Sequence, residues 1–272
     1  MIAAGVTIGA LQAALPLDPL ENRILLCHAL GLTRVGLITQ SERALDDAEA
    51  AALNALVARR QQGEPIAYIV GKREFFGLDF RVTDAVLIPR PDTELLVELA
   101  LERLPPHGRA LDMGTGSGAI AVAIAHSLPG AVVTALDVSE AALEVARANA
   151  AANGAVVRFL HSDWFSAVGG ESFDLIASNP PYIADGDAHL SQGDLRFEPV
   201  GALTDHADGL SALRVIVAGA RAHLEPQGWL LMEHGYDQAA QVRHLLAEDG
   251  YTEVQSWRDL AGIERASGGR AP

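Results

Sequence analysis

Asn179-Pro180-Pro181-Tyr182 closes a short apolar run, Phe173-Asp174-Leu175-Ile176-Ala177-Ser178. That run has the length and content of a buried parallel strand. An amide at its C-terminal end stands at the rim where open α/β sheets take their ligands. Pro180 and Pro181 stiffen the backbone and carry no N–H, which leaves nearby carbonyls without local donors. Tyr182 adds a flat ring. Together the four residues suit a planar group bearing an NH2: the Asn179 side-chain oxygen and the Pro180 carbonyl each accept one N–H, and Tyr182 packs on the flat face. A Pro-rich turn that only caps a strand has the same composition, so the surrounding elements must decide.

Upstream, Ala110-Leu111-Asp112-Met113-Gly114-Thr115-Gly116-Ser117-Gly118 is a strand entering a glycine-rich turn ahead of a helix. Glycine lets the backbone bend sharply and a ligand approach closely. Gly114, Gly116 and Ala119 also satisfy the dinucleotide pattern G-x-G-x-x-A, and Asp137 sits where an acidic side chain takes ribose hydroxyls. Nucleotide-like binding follows, with the cofactor open between NAD and S-adenosylmethionine. Three features favour S-adenosylmethionine. Asp112 is placed to face a cationic amino-acid group, whereas a pyrophosphate would repel it. Trp164, in Ser162-Asp163-Trp164 after the third strand, is placed as a wall for adenine. The Asn179–Tyr182 slot has no use in hydride transfer.

A sulfonium methyl is already activated, so the protein's main task is to align an acceptor, which is worth about 7–11 kcal/mol in favourable cases. An amide or aromatic amine nitrogen is a poor nucleophile because its lone pair is delocalised. Two carbonyl acceptors on its N–H bonds fix it and offset the positive charge that grows on nitrogen. A strong general base is not required, because the nitrogen turns acidic once methylated.

The elements that carry these residues are legible in outline. Residues 1–63 read as a small helical module. Thr7 caps a helix with Ile8, Leu11 and Leu15 on one face, and Asp18-Pro19-Leu20-Glu21 starts a second with Glu21 reaching back as a capping box. Gly31 ends the second helix, and a later one from Asp46 or Asp47 turns Leu53, Leu56 and Val57 inward and stops at Gly63. Residues 64–88 read as a β-hairpin linker, with Ile66–Val70 and Phe80–Val82 as its strands. Residues 89–272 form the larger domain. Pro89-Arg90-Pro91-Asp92-Thr93-Glu94 leads into a helix, then apolar runs at 110–113, 131–136, 155–160, 173–178 and 229–232 alternate with helices near 118–127, 139–152, 209–223 and 237–248. This alternation is the signature of a parallel sheet covered on both faces.

Composition narrows the function classes. The 272 residues are 49% hydrophobic with a net charge of −15. Residues 1–88 carry 10 acidic and 8 basic side chains, residues 89–272 carry 25 and 12. An acidic catalytic segment argues against gripping phosphate backbones, which calls for a basic face. No run is long enough for a membrane span. The first basic residue is Arg23, so Met1–Leu20 lacks the charged start of a secretory signal. Cys27 is the sole cysteine, which excludes an internal disulfide and fits a cytoplasmic location. No His/Asp/Glu cluster has metal-ligand spacing. His126, His161, His206 and His234 read as structural or solvent-facing, and Arg59-Arg60 as a solvated face.

With these residues assembled, the chain resembles the peptide chain release factor glutamine N5-methyltransferases. The resemblance runs through Gly63-Glu64-Pro65-Ile66-Ala67-Tyr68-Ile69 with Gly71 and Glu74-Phe75, and Leu87-Ile88-Pro89-Arg90-Pro91-Asp92-Thr93-Glu94. It continues in the glycine loop, Ser162-Asp163-Trp164-Phe165, Asn179–Tyr182 and Gly193-Asp194-Leu195-Arg196-Phe197-Glu198-Pro199. The tetrapeptide alone is shared with DNA and RNA adenine methyltransferases. Gly262–Gly269 is looser than the family's usual closing strand.

The resemblance implies an α/β fold: a Rossmann-like class I S-adenosylmethionine-dependent methyltransferase domain, with a helical N-terminal domain that helps recognise the substrate. It implies a monomer that methylates the glutamine of the Gly-Gly-Gln motif in class I release factors, supporting translation termination. Gly114, Thr115, Gly116, Ser117 and Gly118 would line the cofactor's amino-acid end, Asp137 would hold its ribose, and Trp164 would sit by adenine. Asn179 would border the cofactor as well. Asn179, Pro180 and Tyr182 would be the catalytic residues, and Asn179, Pro180, Pro181 and Tyr182 would receive the glutamine. A nucleic-acid adenine methyltransferase and a non-catalytic module that keeps the fold are the competing readings.

Overall fold

The computed structural model describes residues 1–272, which divide into two compact units, Met1–Lys72 and Arg73–Pro272. The first unit is helical: α1 (Ile8–Ala14), α2 (Pro19–Leu30), α3 (Arg34–Thr39), α4 (Asp47–Gln61) and α5 (Ile66–Val70). Its start signals act as the sequence implies. Thr7 accepts from Ala10 N, Asp18 from Leu20 N, and Asp46 forms a full capping box with Glu49. Gly31 closes α2 at φ 62°. Leu25, Leu26, Leu37 and Leu53 meet in one buried core.

Three expectations in this unit are corrected. Glu21 does not complete a capping box. Packing α2 on α4 brings it to Arg60, which it pairs with at 2.9 Å, and a charge-assisted bond outcompetes a backbone cap. Arg59 likewise pairs with Glu64 at 2.5 Å, so Arg59-Arg60 is not simply a solvated face. Ile66–Val70 is a helix, not a strand. A five-residue apolar run fits either period, and here Pro65 at the N-cap and Gly71 at φ 74° bracket one helical turn.

The hairpin therefore lies further on, between β1 (Lys72–Phe75) and β2 (Leu78–Arg81). Phe76 and Gly77 turn it with φ of 52° and 76°, the double left-handed geometry that matches strand twist. Asn149 clamps β2 from behind: its Oδ1 accepts from Arg81 N at 2.7 Å, and its Nδ2 donates to Arg81 O and Ser117 O.

The rest of the second unit is α6 (Glu94–Arg103), β3 (Arg109–Met113), α7 (Ala119–Ser127), β4 (Val132–Asp137), α8 (Glu140–Ala152), β5 (Val157–His161), β6 (Phe173–Ser178), α9 (Val200–Leu203), α10 (Ser211–Ala220), β7 (Leu224–Glu233), α11 (Ala239–Glu248), β8 (Thr252–Arg258) and β9 (Glu264–Arg270). Seven strands form one sheet in the order β5-β4-β3-β6-β7-β9-β8. Only β9 runs against its neighbours. The strand order reverses between β3 and β6, which is where such sheets open a ligand crevice.

Pleating sends alternate side chains to opposite faces. Ala110, Leu175, Ala177 and Leu231 pack with α6 and α7, while Leu111, Met113, Ile176, Leu230 and Met232 pack with α10 and α11. The C-terminal segment corrects another expectation. Gly262–Gly269 contributes most of β9, an ordered inner strand, and its glycines answer a packing need. A Cβ on Gly268 would stand 2.4 Å from Leu230 O, and one on Gly269 2.9 Å from Tyr251 Cβ.

Candidate active site

Register assembles the site. In β3 and β6, Met113 pairs with Ser178, and the Ser178 hydroxyl donates to Met113 O at 2.8 Å. The residues that follow, Gly114 and Asn179, therefore emerge side by side at the carboxyl edge. Both line a cavity of about 380 Å³, together with Thr115, Gly116, Ser117, Asp137, Trp164, Pro180 and Pro181.

The cavity floor is backbone. Gly114 and Gly116 have φ of 70° and 55°, and a Cβ on either would project into open space. Gly116 N donates to Asp137 Oδ2 at 2.8 Å, and Ser139 N to its Oδ1 at 2.9 Å. Burial raises the Asp137 carboxyl above its ordinary range, against these bonds. Each of its oxygens keeps a lone pair for a hydroxyl donor. Trp164 holds the left-handed region at φ 47°, a strained setting typical of functional sites. The Ser162 hydroxyl steadies it by donating to Trp164 O at 2.7 Å and accepting from Ala167 N. A narrow, open-topped glycine cradle, a diol acceptor and an aromatic wall fit an adenosine-bearing cofactor.

Two residues in this region take other roles. Gly118 does not line the cavity; it sits at φ 84° ahead of α7, where a Cβ would press to 3.1 Å on Ala146 of α8. Its freedom serves helix packing. Asp112 is buried beneath the loop, on the α7 side of the sheet, and does not face the cavity. Its Oδ2 accepts from the Thr115 hydroxyl at 2.6 Å and Ala121 N at 3.1 Å, bracing the loop against the helix, while Oδ1 has no partner.

Burial is the main cause that pushes the Asp112 pKa up to about 7, with the nearby Asp137 adding to it. Since folding raises this pKa, it favours the protonated carboxyl: that contribution is fullest below about 4 and is lost as the pH rises through 7. Asp112→Asn should therefore flatten the fall in melting temperature between about pH 5 and 8.5. Parallel curves for the two proteins in a thermal-melt series would refute this.

At the slot, Asn179 Nδ2 donates to Thr93 Oγ1 at 3.2 Å, leaving Oδ1 without an intramolecular partner. No backbone N–H reaches the Pro180 carbonyl. Tyr182 departs from expectation. Its ring packs with the α10/α11 core and does not line the cavity. A partly buried phenol needs a partner, and its hydroxyl donates to Glu233 Oε1 at 3.3 Å, which draws the ring behind the slot. Burial, with Glu233 beside it, raises the Tyr182 pKa.

Four side chains at this edge escaped sequence reasoning. Arg90 lines the cavity and pairs with the fully buried carboxylate of Glu198, which also accepts from Ile88 N at 3.0 Å. Thr93 and Glu233 lie under Asn179. The Glu233 pKa is pushed up to about 7, chiefly by burial and further by Asp92, against hydrogen bonds from Thr93 and Tyr182 and the pull of Arg265. The available signal was position: Glu233 ends an apolar strand, Leu230-Leu231-Met232, as Asn179 ends another. The four histidines stay outside the cavity, His234 fully buried between Gly235 O and Ser267 Oγ.

The profile described as "Methyltransferase small domain" matches residues 91–194, and "PrmC N-terminal domain" matches residues 7–71. Among solved structures, a methyltransferase from Pyrococcus furiosus shares the fold with a TM-score of 0.55 at 24% identity, over 78% of this chain and 95% of that one. The Thermus thermophilus 16S rRNA N2 G1207 methyltransferase, solved with AdoMet and guanosine, has a TM-score of 0.55 at 23% identity over 74% of this chain and 50% of that one. The release factor glutamine methyltransferase of Burkholderia pseudomallei is 57% identical over 98% of this chain and 96% of its own length. That of Bordetella pertussis is 56% identical over 93% and 95%. On this likeness across both units, the chain belongs to the release factor glutamine methyltransferase family, and its cofactor is S-adenosylmethionine.

Proposed function

We propose that this protein transfers a methyl group to the side-chain nitrogen N5 of the glutamine in the Gly-Gly-Gln motif of class I release factors, with Asn179 and Pro180 as the acceptor grip. The carrying observation is that Asn179 turns its NH2 toward Thr93 and keeps a free Oδ1 in the same cavity wall as the glycine loop. The names of the relatives support a release factor as substrate.

The cofactor supplies an electrophilic methyl carbon on a sulfonium sulfur. Asn179 Oδ1 and the Pro180 carbonyl accept the two N–H bonds of the glutamine amide and hold the lone pair of N5 toward that carbon. As the C–N bond forms, the S–CH3 bonding pair returns to sulfur and positive charge grows on N5. The two carbonyl dipoles stabilise that charge, and removing one such group typically costs about 2.7–4 kcal/mol of barrier. The methylated nitrogen then releases one proton to water. Gly114, Thr115, Gly116 and Ser117 would hold the amino-acid end of the cofactor, Asp137 its ribose and Trp164 its adenine.

The acidic surface balance supports a protein rather than a nucleic-acid substrate. The single cysteine supports a cytoplasmic location, and no helix is long and apolar enough to cross a membrane. A monomer is the proposed state, to be read by sedimentation. The test of function is incubation with a release factor and methyl-labelled cofactor. One methyl should appear on the tryptic peptide carrying the Gly-Gly-Gln glutamine, and none when that glutamine is alanine. Label on adenine in added DNA or RNA, with none on the release factor, would overturn the proposal.

A further inference from the structure

β6 and β7 run parallel with Ser178 opposite Met232, so Asn179 and Glu233 leave the sheet edge together. Pleating puts Glu233 on the face of Leu231, the face covered by α6, and Thr93 sits in the turn that opens that helix. Glu233 is 3% exposed. Three hydrogen bonds connect these groups: Asn179 Nδ2 donates to Thr93 Oγ1, the Thr93 hydroxyl bonds Glu233, and the Tyr182 hydroxyl donates to Glu233.

Donor counting gives this chain of bonds a direction. An ionised carboxylate only accepts. The one proton of the Thr93 hydroxyl is therefore committed to Glu233, and toward Asn179 the hydroxyl offers only a lone pair. What it meets there must be a donor, the NH2 of Asn179 and not its oxygen. Oδ1 is left to face the cavity. Turned the other way, the amide would present N–H bonds to the N–H bonds of an incoming glutamine and would repel it, while accepting a carboxylate.

We infer that Glu233, acting through Thr93, is a positioning residue that fixes which end of the Asn179 amide faces the acceptor and so selects a carboxamide over a carboxylate. The inference rests on the Asn179 grip proposed above. Side-chain amides are pseudo-symmetric in shape, so steric packing alone barely distinguishes their two orientations. A buried acid two bonds away supplies the missing asymmetry.

The test uses the full-length enzyme, a release factor and labelled S-adenosylmethionine, assayed above pH 8 so that Glu233 is ionised. Glu233→Gln introduces a donor beside Thr93, freeing the hydroxyl proton to turn toward Asn179. Its kcat should fall by about 30-fold or more while cofactor affinity changes less than about twofold. Thr93→Val should fall similarly, and Thr93→Ser should restore most of the loss. In an Asn179→Asp background both oxygens accept, orientation loses its meaning, and adding Glu233→Gln should change kcat by less than about threefold.

Equal slowing by Glu233→Gln in both backgrounds would reduce Glu233 to a structural acid and overturn the inference. So would full activity in Thr93→Val, a comparison that stands even if the Glu233 variant fails to fold. Undiminished turnover in Asn179→Ala would instead bring down the grip itself and this inference with it.

Discussion

Asn179→Ala should lower kcat by about 10²–10³-fold, the cost of removing one preorganised group facing the charge that develops in a transition state. The grip on N5 then falls to the Pro180 carbonyl alone, and the amide is free to rotate. Cofactor affinity should change by no more than about threefold, because the interaction is made with the acceptor and not with the glycine cradle. Single-turnover kinetics with saturating cofactor, paired with calorimetric titration of the cofactor, separate the two quantities. A variant that binds cofactor poorly but turns over at the normal rate once saturated would place Asn179 in the wrong role.

Asp137→Ala should show the opposite split. The carboxylate lines the cavity, and each of its oxygens already takes one backbone N–H, from Gly116 and Ser139. Its remaining lone pairs are the acceptors for a ribose diol. Hydrogen bonds to a charged group are worth about 1.5–3 kcal/mol each. Losing both, with the bracing of Gly116, should weaken cofactor binding by about 10²-fold or more. At saturating cofactor, kcat should recover most of its original value, since the slot at the end of β6 is untouched. Asp137→Asn should fall between, because it keeps one acceptor for the loop or the ribose but not both. Unchanged cofactor affinity in Asp137→Ala would remove the ribose assignment.

These two variants divide the cavity into a part that holds the cofactor and a part that aims the acceptor, and the division follows the sheet. Asp137 ends β4, the glycine loop follows β3, and Asn179 follows β6. Three strand ends, laid next to one another in one register, supply the two functions.

Much of this was legible in the chain itself. Alternating apolar strands and helices beyond Arg109 are a local pattern, and parallel strands buried on both faces need continuous apolar runs. That is why the β3, β4, β5 and β6 positions were readable to within two residues. The cap residues Thr7, Asp18 and Asp46 were readable because a side-chain acceptor satisfies orphan N–H groups within its own turn. Gly114, Gly116, Asp137 and Asn179 announced themselves as residues that a plain strand end does not require.

Other features were set by contacts distant in sequence. Ile66–Val70 is too short for its period to decide, and the bracketing Pro65 and Gly71 made it a helix. Glu21 met Arg60, 39 residues away, and dropped its capping role. Tyr182 was drawn behind the slot by Glu233, 51 residues on, and Asp112 was claimed by the loop it braces. The Thr93–Glu233 pair shows the limit most plainly. Residue types state what each group can donate or accept, whereas only the packing of α6 on the β6–β7 edge brings them within bonding distance and gives the Asn179 amide a direction.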